Sequence, residues 1–390
     1  MKLVLAVDAI FPPMTGIGRY ALELAKQLSG QPEIDDLRLL GWGWIPDVVQ
    51  LLAAGDSGKP EFRKSLVGEL RRRVSCYKWA VLLYGALVPA LQARRLRPYG
   101  EYLFHSPNYF LPRHAGPSIA TVHDLSIYRY PETHPAARVL YFEREFRKTL
   151  DRASWLITDS EAIRREVIEM FGWSENRITS VPLGVDASFY PRSQEELTPV
   201  LAAYGLSPGQ YALCVSTLEP RKNIARLLQA YEGLPADLRR TYPIVLAGGR
   251  GWHDKELLRM LEKAQCAGWA RHLGYVPQDV LPLLYAGARA SCFPSIYEGF
   301  GLPVLESMAS GVPVLTSNRS SLPEVCGSAG WLINPDDVED ISHGLLAVLL
   351  DDYWRESARI EGLRLAAQAT WPECVRRTVE TYKAVCREDQ

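Results

Sequence analysis

ASCFPSIYEGFGLPVLESMASGVPVLTSN, residues 290–318, carries a complete strand–helix–strand unit in one stretch. ASCFPS (290–295) and VPVLTSN (312–318) are short apolar runs of the kind that form buried strands. Gly299 and Gly301 forbid an early helix start, and Pro303 suits a first helical turn, where its missing N–H costs nothing. The spacing therefore predicts a helix over Leu302 to Ser310, with Glu298 on the loop before it and Glu306 about one turn inside. A helix joining two such strands makes them parallel neighbours in a sheet.

The same alternation runs along the chain. KLVLAVDAI (2–10), YLFHS (102–106), SIATVHD (118–124), WLITDS (155–160) and ITSVPLG (178–184) form a first series, with helical spacing between them in TGIGRYALELAKQL and HPAARVLYFEREFRKTLDRA. QYALCVS (210–216), YPIVLAGG (242–249), RHLGYV (271–276), ASCFPS and VPVLTSN form a second. Such runs describe an α/β protein with mostly parallel, doubly wound sheets. At 390 residues the chain exceeds the roughly 250–300 at which single cores stop growing, so two domains are expected, 1–190 and 200–371. DASFYPRSQEELTP (186–199) has no regular period and two prolines, and is read as the linker. A last helix is expected near 372–388, after Trp371 and Pro372. Two such sheets in tandem place the loops at the carboxyl ends of their strands around one central cleft, the usual ligand position.

Composition narrows the function classes. A net charge of −1, with 47% apolar and 23% charged residues, gives no bulk attraction for nucleic acid. Seven dispersed cysteines without C-x-x-C suggest neither a disulfide framework nor a zinc site, and fit a reducing cytoplasm. Asp8 and the prolines at 12 and 13 interrupt the first apolar run before it resembles a signal peptide, and WAVLLYGALVPAL (79–91) is too short to span a bilayer. Residues 59–97 carry ten basic and two acidic side chains around a short apolar centre. That run reads either as a pair of solvated helices or as a surface for anionic membrane.

The motifs bear on chemistry. GIGRYA (16–21) matches the dinucleotide fingerprint G-x-G-x-x-G/A, but FPPMT intervenes where the first glycine should turn straight out of the strand. The alternatives are a plain glycine turn, or a loop whose glycines let backbone approach a bound group ahead of a helix N-terminus. Glu298 and Glu306 bracket the free N–H groups around Phe300, Gly301 and Leu302, a natural cradle for phosphate. Spacing alone equally allows two solvated acids. VSTLEPRKN (215–223) places Arg221 and Lys222 at a strand end, either as solvated surface or as cations that neutralise a departing diphosphate. ATVHDLS (120–126) ends a strand in His123 and Asp124, a structural histidine or a polar contact for substrate. No histidine spacing suggests a metal site, and no G-x-S-x-G or other nucleophile signature is present.

Together, EGFGLPVLE (298–306), TLEPRKN (217–223), AGG (247–249), GYV (274–276) and SNRSSLPEVCG (317–327) resemble family 4 of the retaining, nucleotide-sugar-dependent glycosyltransferases. GIGRY, the VHD around His123, TDSEA (158–162) and PLGVD (182–186) follow in that family's order. The resemblance implies the GT-B fold: two Rossmann-like domains facing a central cleft, the N-terminal one for the acceptor and the C-terminal one for the donor, with a final helix crossing back. It implies that Glu306 binds the donor ribose, Phe300, Gly301 and Leu302 the phosphates, and Glu298 the transferred sugar. Tyr275 and Val276 would line the base pocket, Arg221 and Lys222 hold the diphosphate, and His123 meets the donor sugar. Gly16 and Gly18 would sit near the reaction centre, with Asn108 and Asp124 on the acceptor side.

One position departs from the family. Many members carry an arginine five residues before the lysine, where this chain has Thr217, which leaves Arg221 to supply that charge. The resemblance implies no metal and no cofactor beyond the sugar donor, and a front-face mechanism in which the departing diphosphate helps deprotonate the acceptor. It is similar to bacterial mannosyl- and rhamnosyltransferases of surface polysaccharides. The expected donor is a GDP-sugar, then a UDP-sugar, and the expected acceptor a glycan or polyprenyl-linked glycan at the cytoplasmic face of a membrane. A nicotinamide oxidoreductase and a noncatalytic nucleotide-sugar-binding module are the rival readings.

Overall fold

The computed structural model describes residues 1–11, 14–47, 88–249 and 255–388. The chain divides into two units: Met1–Pro182 together with Pro372–Gln390, and Leu183–Trp371.

The sheet of the first unit holds β1 (Lys2–Ala6), β2 (Asp36–Leu40), β3 (Trp44–Ile45), β4 (Leu103–Ser106), β5 (Ser118–Val122), β6 (Trp155–Thr158) and β7 (Ile178–Ser180). Their order is β3-β2-β1-β4-β5-β6-β7, parallel throughout except where β3 turns back on β2. Every residue of β4, β5 and β6 is buried, because helices cover both faces of a parallel sheet. The sheet of the second unit holds β8 (Ala212–Val215), β9 (Ile244–Ala247), β10 (Ala270–Gly274), β11 (Ala290–Phe293), β12 (Val314–Ser317) and β13 (Gly330–Ile333), in the all-parallel order β10-β9-β8-β11-β12-β13. Both orders reverse direction once, between β1 and β4 in one sheet and between β8 and β11 in the other. In open α/β sheets such a reversal opens a crevice at the carboxyl ends of the two strands.

The α/β reading and its strand runs are present in the structure. β2, β3 and β13 were not anticipated. β2 (DLRLL) carries charge and only two fully buried positions, and β13 begins on a glycine at the sheet edge, so neither reads as an apolar run.

The segment read as a linker differs most. Gln194–Ala203 is a helix of the second unit, with Pro199 inside it. Ser193 and Glu196 form a reciprocal capping box: Glu196 N donates to Ser193 Oγ at 3.4 Å and Ser193 N to Glu196 Oε2 at 2.9 Å. That cap fixes the helix start locally and outweighs the proline signal. The second unit instead begins at Leu183 and ends at Trp371, and its two ends lie side by side, with Val185 N donating to Ala369 O at 2.9 Å. A Cβ on Gly184 would stand 2.1 Å from Trp371 N, so only glycine fits that approach.

The final helix, Trp371–Glu388, packs into the first unit. Tyr382 Oη lies 2.7 Å from His105 Nδ1 on β4, and Lys383 pairs with Glu33 at 2.7 Å. Among the described residues no helix is long and apolar enough to cross a membrane. Residues 59–87 of the basic run lie outside the described residues.

Candidate functional site

The crevice of the second sheet is built by the loops leaving β8 and β11, which lie side by side. After β8 the chain makes one tight turn, Pro220–Lys222, and closes it on Asn223 at φ 59°. Asparagine tolerates that left-handed conformation, and here its buried side chain donates to Pro294 O at 3.2 Å and Pro335 O at 2.6 Å. The turn thereby fixes Arg221 and Lys222 against the loop after β11. Arg221 Nη1 donates to Tyr297 O at 2.5 Å and to Glu298 Oε2 at 3.0 Å, while Lys222 Nζ donates to Glu298 Oε1 at 2.6 Å. Ser295 Oγ lies 2.5 Å from the same Oε1. Burial pushes the Glu298 carboxyl up, but Arg221 and then Lys222 outweigh it and hold the pKa at about 2. Thr217 donates to Glu219 at 2.7 Å. Arg221 stands directly beside Lys222, and both hold the same carboxylate.

Beyond Glu298 the chain reaches Gly301 at φ 117°, where a Cβ would stand 2.8 Å from Leu322 Cδ2. The helix Leu302–Ala309 starts there with no side-chain cap, its first intrahelical bond running from Val304 N to Gly301 O at 2.9 Å. The N–H of Leu302 precedes that bond, at the positive end of the helix. The loop after β12 clamps this approach: Ser321 Oγ lies 3.0 Å from Glu298 O and 2.6 Å from Phe300 O, and Ser320 Oγ donates to Glu298 O. Ser295, Ser320, Ser321 and Asn223 were not singled out from sequence. The run SNRSSLPEVCG held two of them, but serines carry no signal until the backbone they bind is known.

Glu306 lies in the second turn of the helix and is buried. Tyr285, wholly buried on the helix Leu281–Ala286, faces it. Burial, and after it the Glu306 charge, raises the Tyr285 phenol well above its ordinary value. At the carboxyl end of β10, Tyr275 is 67% exposed and Val276 is buried, after the left-handed Gly274 at φ 68°. Arg221, Lys222, Glu298, Phe300, Gly301, Leu302, Glu306, Tyr275 and Val276 therefore all lie on the carboxyl-end side of the second sheet.

The remaining candidates belong to the first unit, at the carboxyl ends of β1, β4 and β5. Gly16 opens the helix Gly16–Leu28, and Thr15 caps it by accepting from Gly18 N at 3.1 Å. Both glycines lie inside the first helical turn, unlike a dinucleotide turn that leaves the strand directly. A Cβ on Gly18 would stand 2.9 Å from Ala9 O. Asn108 precedes Tyr109, which holds φ 49° and whose Oη accepts from Asp124 N at 2.9 Å. Asp124 Oδ1 accepts from Ser126 N and Oγ, at 2.9 and 2.7 Å. His123 is buried, with Nδ1 2.7 Å from Asp159 Oδ2 and Nε2 2.8 Å from Pro107 O. A carbonyl only accepts, so Nε2 carries a proton. Burial lowers the His123 pKa, but Asp159 and Pro107 O outweigh it and the pKa is raised. Both ring nitrogens are thus committed to the protein, and Asp159, inside TDSEA, is the partner sequence reasoning missed.

The family model "Glycosyltransferase Family 4" matches residues 14–189, and "Glycosyl transferases group 1" matches residues 205–362. O-antigen chain mannosyltransferase B of Escherichia coli is 44% identical over 384 residues, 98% of this chain and all of that protein. The chain is a family 4 glycosyltransferase. This glycosyltransferase also shares the GT-B fold of solved glycosyltransferases. Anabaena HepE, solved with UDP and glucose, superposes with a TM-score of 0.73 at 18% identity, covering 98% of this chain and 100% of that one. WaaG, a glycosyltransferase involved in lipopolysaccharide biosynthesis, gives 0.72 at 14% identity, covering 96% and 98%.

Proposed function

We infer that this glycosyltransferase moves a mannosyl residue from GDP-mannose to a glycan acceptor in the synthesis of a surface polysaccharide, with retention of configuration and without a metal. The sugar follows from the 44% identical O-antigen mannosyltransferase. The chemistry rests on one observation: Arg221, Lys222 and the uncapped start of the Leu302 helix gather positive charge at the crevice between β8 and β11. Charge that grows on a departing diphosphate is stabilised there more than the intact donor is, which is what lowers a barrier. Glu306 receives the ribose hydroxyls, Tyr275 and Val276 the base, and the first unit holds the acceptor through Asn108 and Asp124.

Retention is read as a front-face displacement, because Glu298 is not free to act as a nucleophile. A carboxylate held by two cations, with its pKa near 2, is a poor nucleophile, and it serves by binding sugar hydroxyls. The anomeric carbon–oxygen bond to the diphosphate breaks, the acceptor oxygen bonds to the same face, and its proton passes to the departing phosphate oxygen. His123, its ring fixed by Asp159 and Pro107, positions the loop after β5 that carries Asp124. The acceptor is lipid-linked, and residues 59–97 bring the enzyme to anionic membrane.

The test combines thermal-shift screening against GDP, UDP, ADP and NAD with transfer from GDP-mannose, the anomer of the product being read by NMR. Stabilisation by GDP in the presence of a chelator and an α-linked product are expected. Stabilisation by NAD alone, a metal requirement, or a β-linked product overturns the corresponding part. Sedimentation with anionic vesicles, before and after neutralising Arg71, Arg72 and Arg73, tests the membrane contact; binding that ignores salt and those residues refutes it.

A further inference from the structure

The edge of the first sheet carries a feature that donor chemistry leaves unused. β2 returns through Gly41, Trp42 and Gly43 into β3, with Gly41 N donating to Gly43 O at 2.9 Å. Trp42 at the tip is 62% exposed and Trp44 38%. Trp44 lies 4.7 Å from the Tyr99 ring, and Tyr99 lies 5.1 Å from the buried Tyr102, so these three rings form a row, with Trp42 two residues before Trp44 at the tip. Polar groups border it: Tyr102 Oη donates to Asp36 Oδ2 at 2.6 Å, Arg38 pairs with Asp36 at 3.1 Å, and Lys2 with Glu101 at 2.9 Å. Arg38, Lys2 and Glu101 keep solvent-exposed side chains, and Asp36 a partly exposed one.

We propose that this row is a binding platform for the already-built part of the glycan acceptor, several sugars away from the one that is extended. This rests on the polysaccharide reading above.

The chemistry selects the occupant. A pyranose presents a face of C–H bonds to an aromatic ring and hydroxyls around its rim, and the surface offers rings bordered by carboxylates, a guanidinium and an ammonium. An apolar partner would gain nothing from that rim, which it would have to desolvate. Among the described residues β3 is two residues long, which leaves too little backbone edge there for another strand to pair with.

Placement fits as well. Trp42 and Trp44 lie at the carboxyl end of β2, the same end of the sheet that carries Gly16, Asn108 and His123, and from there the row runs back toward Tyr102, Asp36 and Lys2 at the amino end. β2 is two places from β4 and three from β5, roughly 10 to 14 Å at about 4.8 Å per strand. That exceeds one sugar and suits an oligosaccharide running from the acceptor loops to the sheet edge.

The experiment uses the full chain with GDP-mannose and manno-oligosaccharides of two and eight residues. The variant pair Trp42→Ala with Trp44→Ala should raise the acceptor KM about tenfold for the eight-residue chain. It should leave kcat, the KM for the two-residue chain and the KM for GDP-mannose unchanged, and tyrosine at both positions should restore most of the loss. An equal rise for both lengths, no rise for either, or a loss of vesicle sedimentation alone overturns the platform. Calorimetric titration of the eight-residue chain without donor separates the two readings. If the wild type transfers no mannose but binds the oligosaccharide in a Trp42- and Trp44-dependent way, the mannosyl reading fails and the platform stands. If binding ignores both tryptophans, the platform fails whatever the enzyme transfers.

Discussion

Lys222 Nζ and Glu298 Oε1 stand 2.6 Å apart, and the other oxygen of the same carboxylate is 3.0 Å from Arg221 Nη1, so the two cations that should receive a diphosphate are held by an internal anion. The ligand phosphates then compete with Glu298 for the same donors. Glu298→Gln removes that competition while keeping the shape. GDP should bind the variant at least as tightly as the wild type, while turnover falls about a hundredfold, in line with loss of one preorganised polar contact to the reacting sugar. Calorimetric GDP titration beside initial rates checks both; a GDP affinity that drops tenfold would refute the competition.

The same carboxylate sets a pH signature. Its pKa is about 2 in the folded chain against 4.5 as the ordinary value. A folded pKa below the unfolded one stabilises the protein above the unfolded value, and that contribution is lost as pH falls from 4.5 toward 2. Urea midpoints measured from pH 5 down to pH 3 should therefore fall more steeply for the wild type than for Glu298→Gln. Parallel curves would show that the ion pair contributes nothing to acid stability.

Gly301 holds φ 117° one residue before the helix Leu302–Ala309, the proposed phosphate cradle. Alanine there is strained by its backbone and meets Leu322 Cδ2 at 2.8 Å, so Gly301→Ala should cost about 2 kcal/mol of stability. Because the strain falls on the phosphate cradle, GDP should also lose its stabilising effect in thermal shift. A variant with wild-type stability and wild-type GDP response would show that the loop relaxes without consequence.

What the sequence made legible follows from how each feature is encoded. Apolar runs such as SIATV, buried at every position, announce their strands, and Gly301 with Pro303 announces a helix start because both act on local backbone. The Arg221, Lys222 and Glu298 candidates were visible, but their pairing was not: it depends on β8 lying beside β11, a contact across 76 residues of chain. The segment 186–199 reads as a linker because it has two prolines and no regular period, whereas the helix Gln194–Ala203 is specified by the capping box of Ser193 and Glu196, which tolerates Pro199 inside it. His123 was visible as a strand-end histidine, whereas Asp159, 36 residues later, becomes its partner only through the β5–β6 pairing.

His105 gives a pH effect of its own in a separate window. Its ring is wholly buried between Tyr382 Oη at 2.7 Å and Thr121 Oγ1 at 2.9 Å, and burial, then His123, lowers its pKa from 6.5 to about 3. Being neutral when folded and protonated when unfolded, it stabilises the protein above pH 6.5, and that contribution is lost as pH falls toward 3. His123, with its pKa raised, works the other way, since its contribution is present below 6.5 and lost as pH rises through its folded value. Between pH 6.5 and 4.5, above the window of Glu298, the wild type should therefore lose melting temperature faster than His105→Gln. Tyr382→Phe should lower stability by about 1 to 3 kcal/mol, because it leaves His105 Nδ1 without its partner and loosens the C-terminal helix from β4. Hydrogen exchange along residues 371–388 reads that loosening directly; unchanged protection there would show that the helix is held by its apolar face alone.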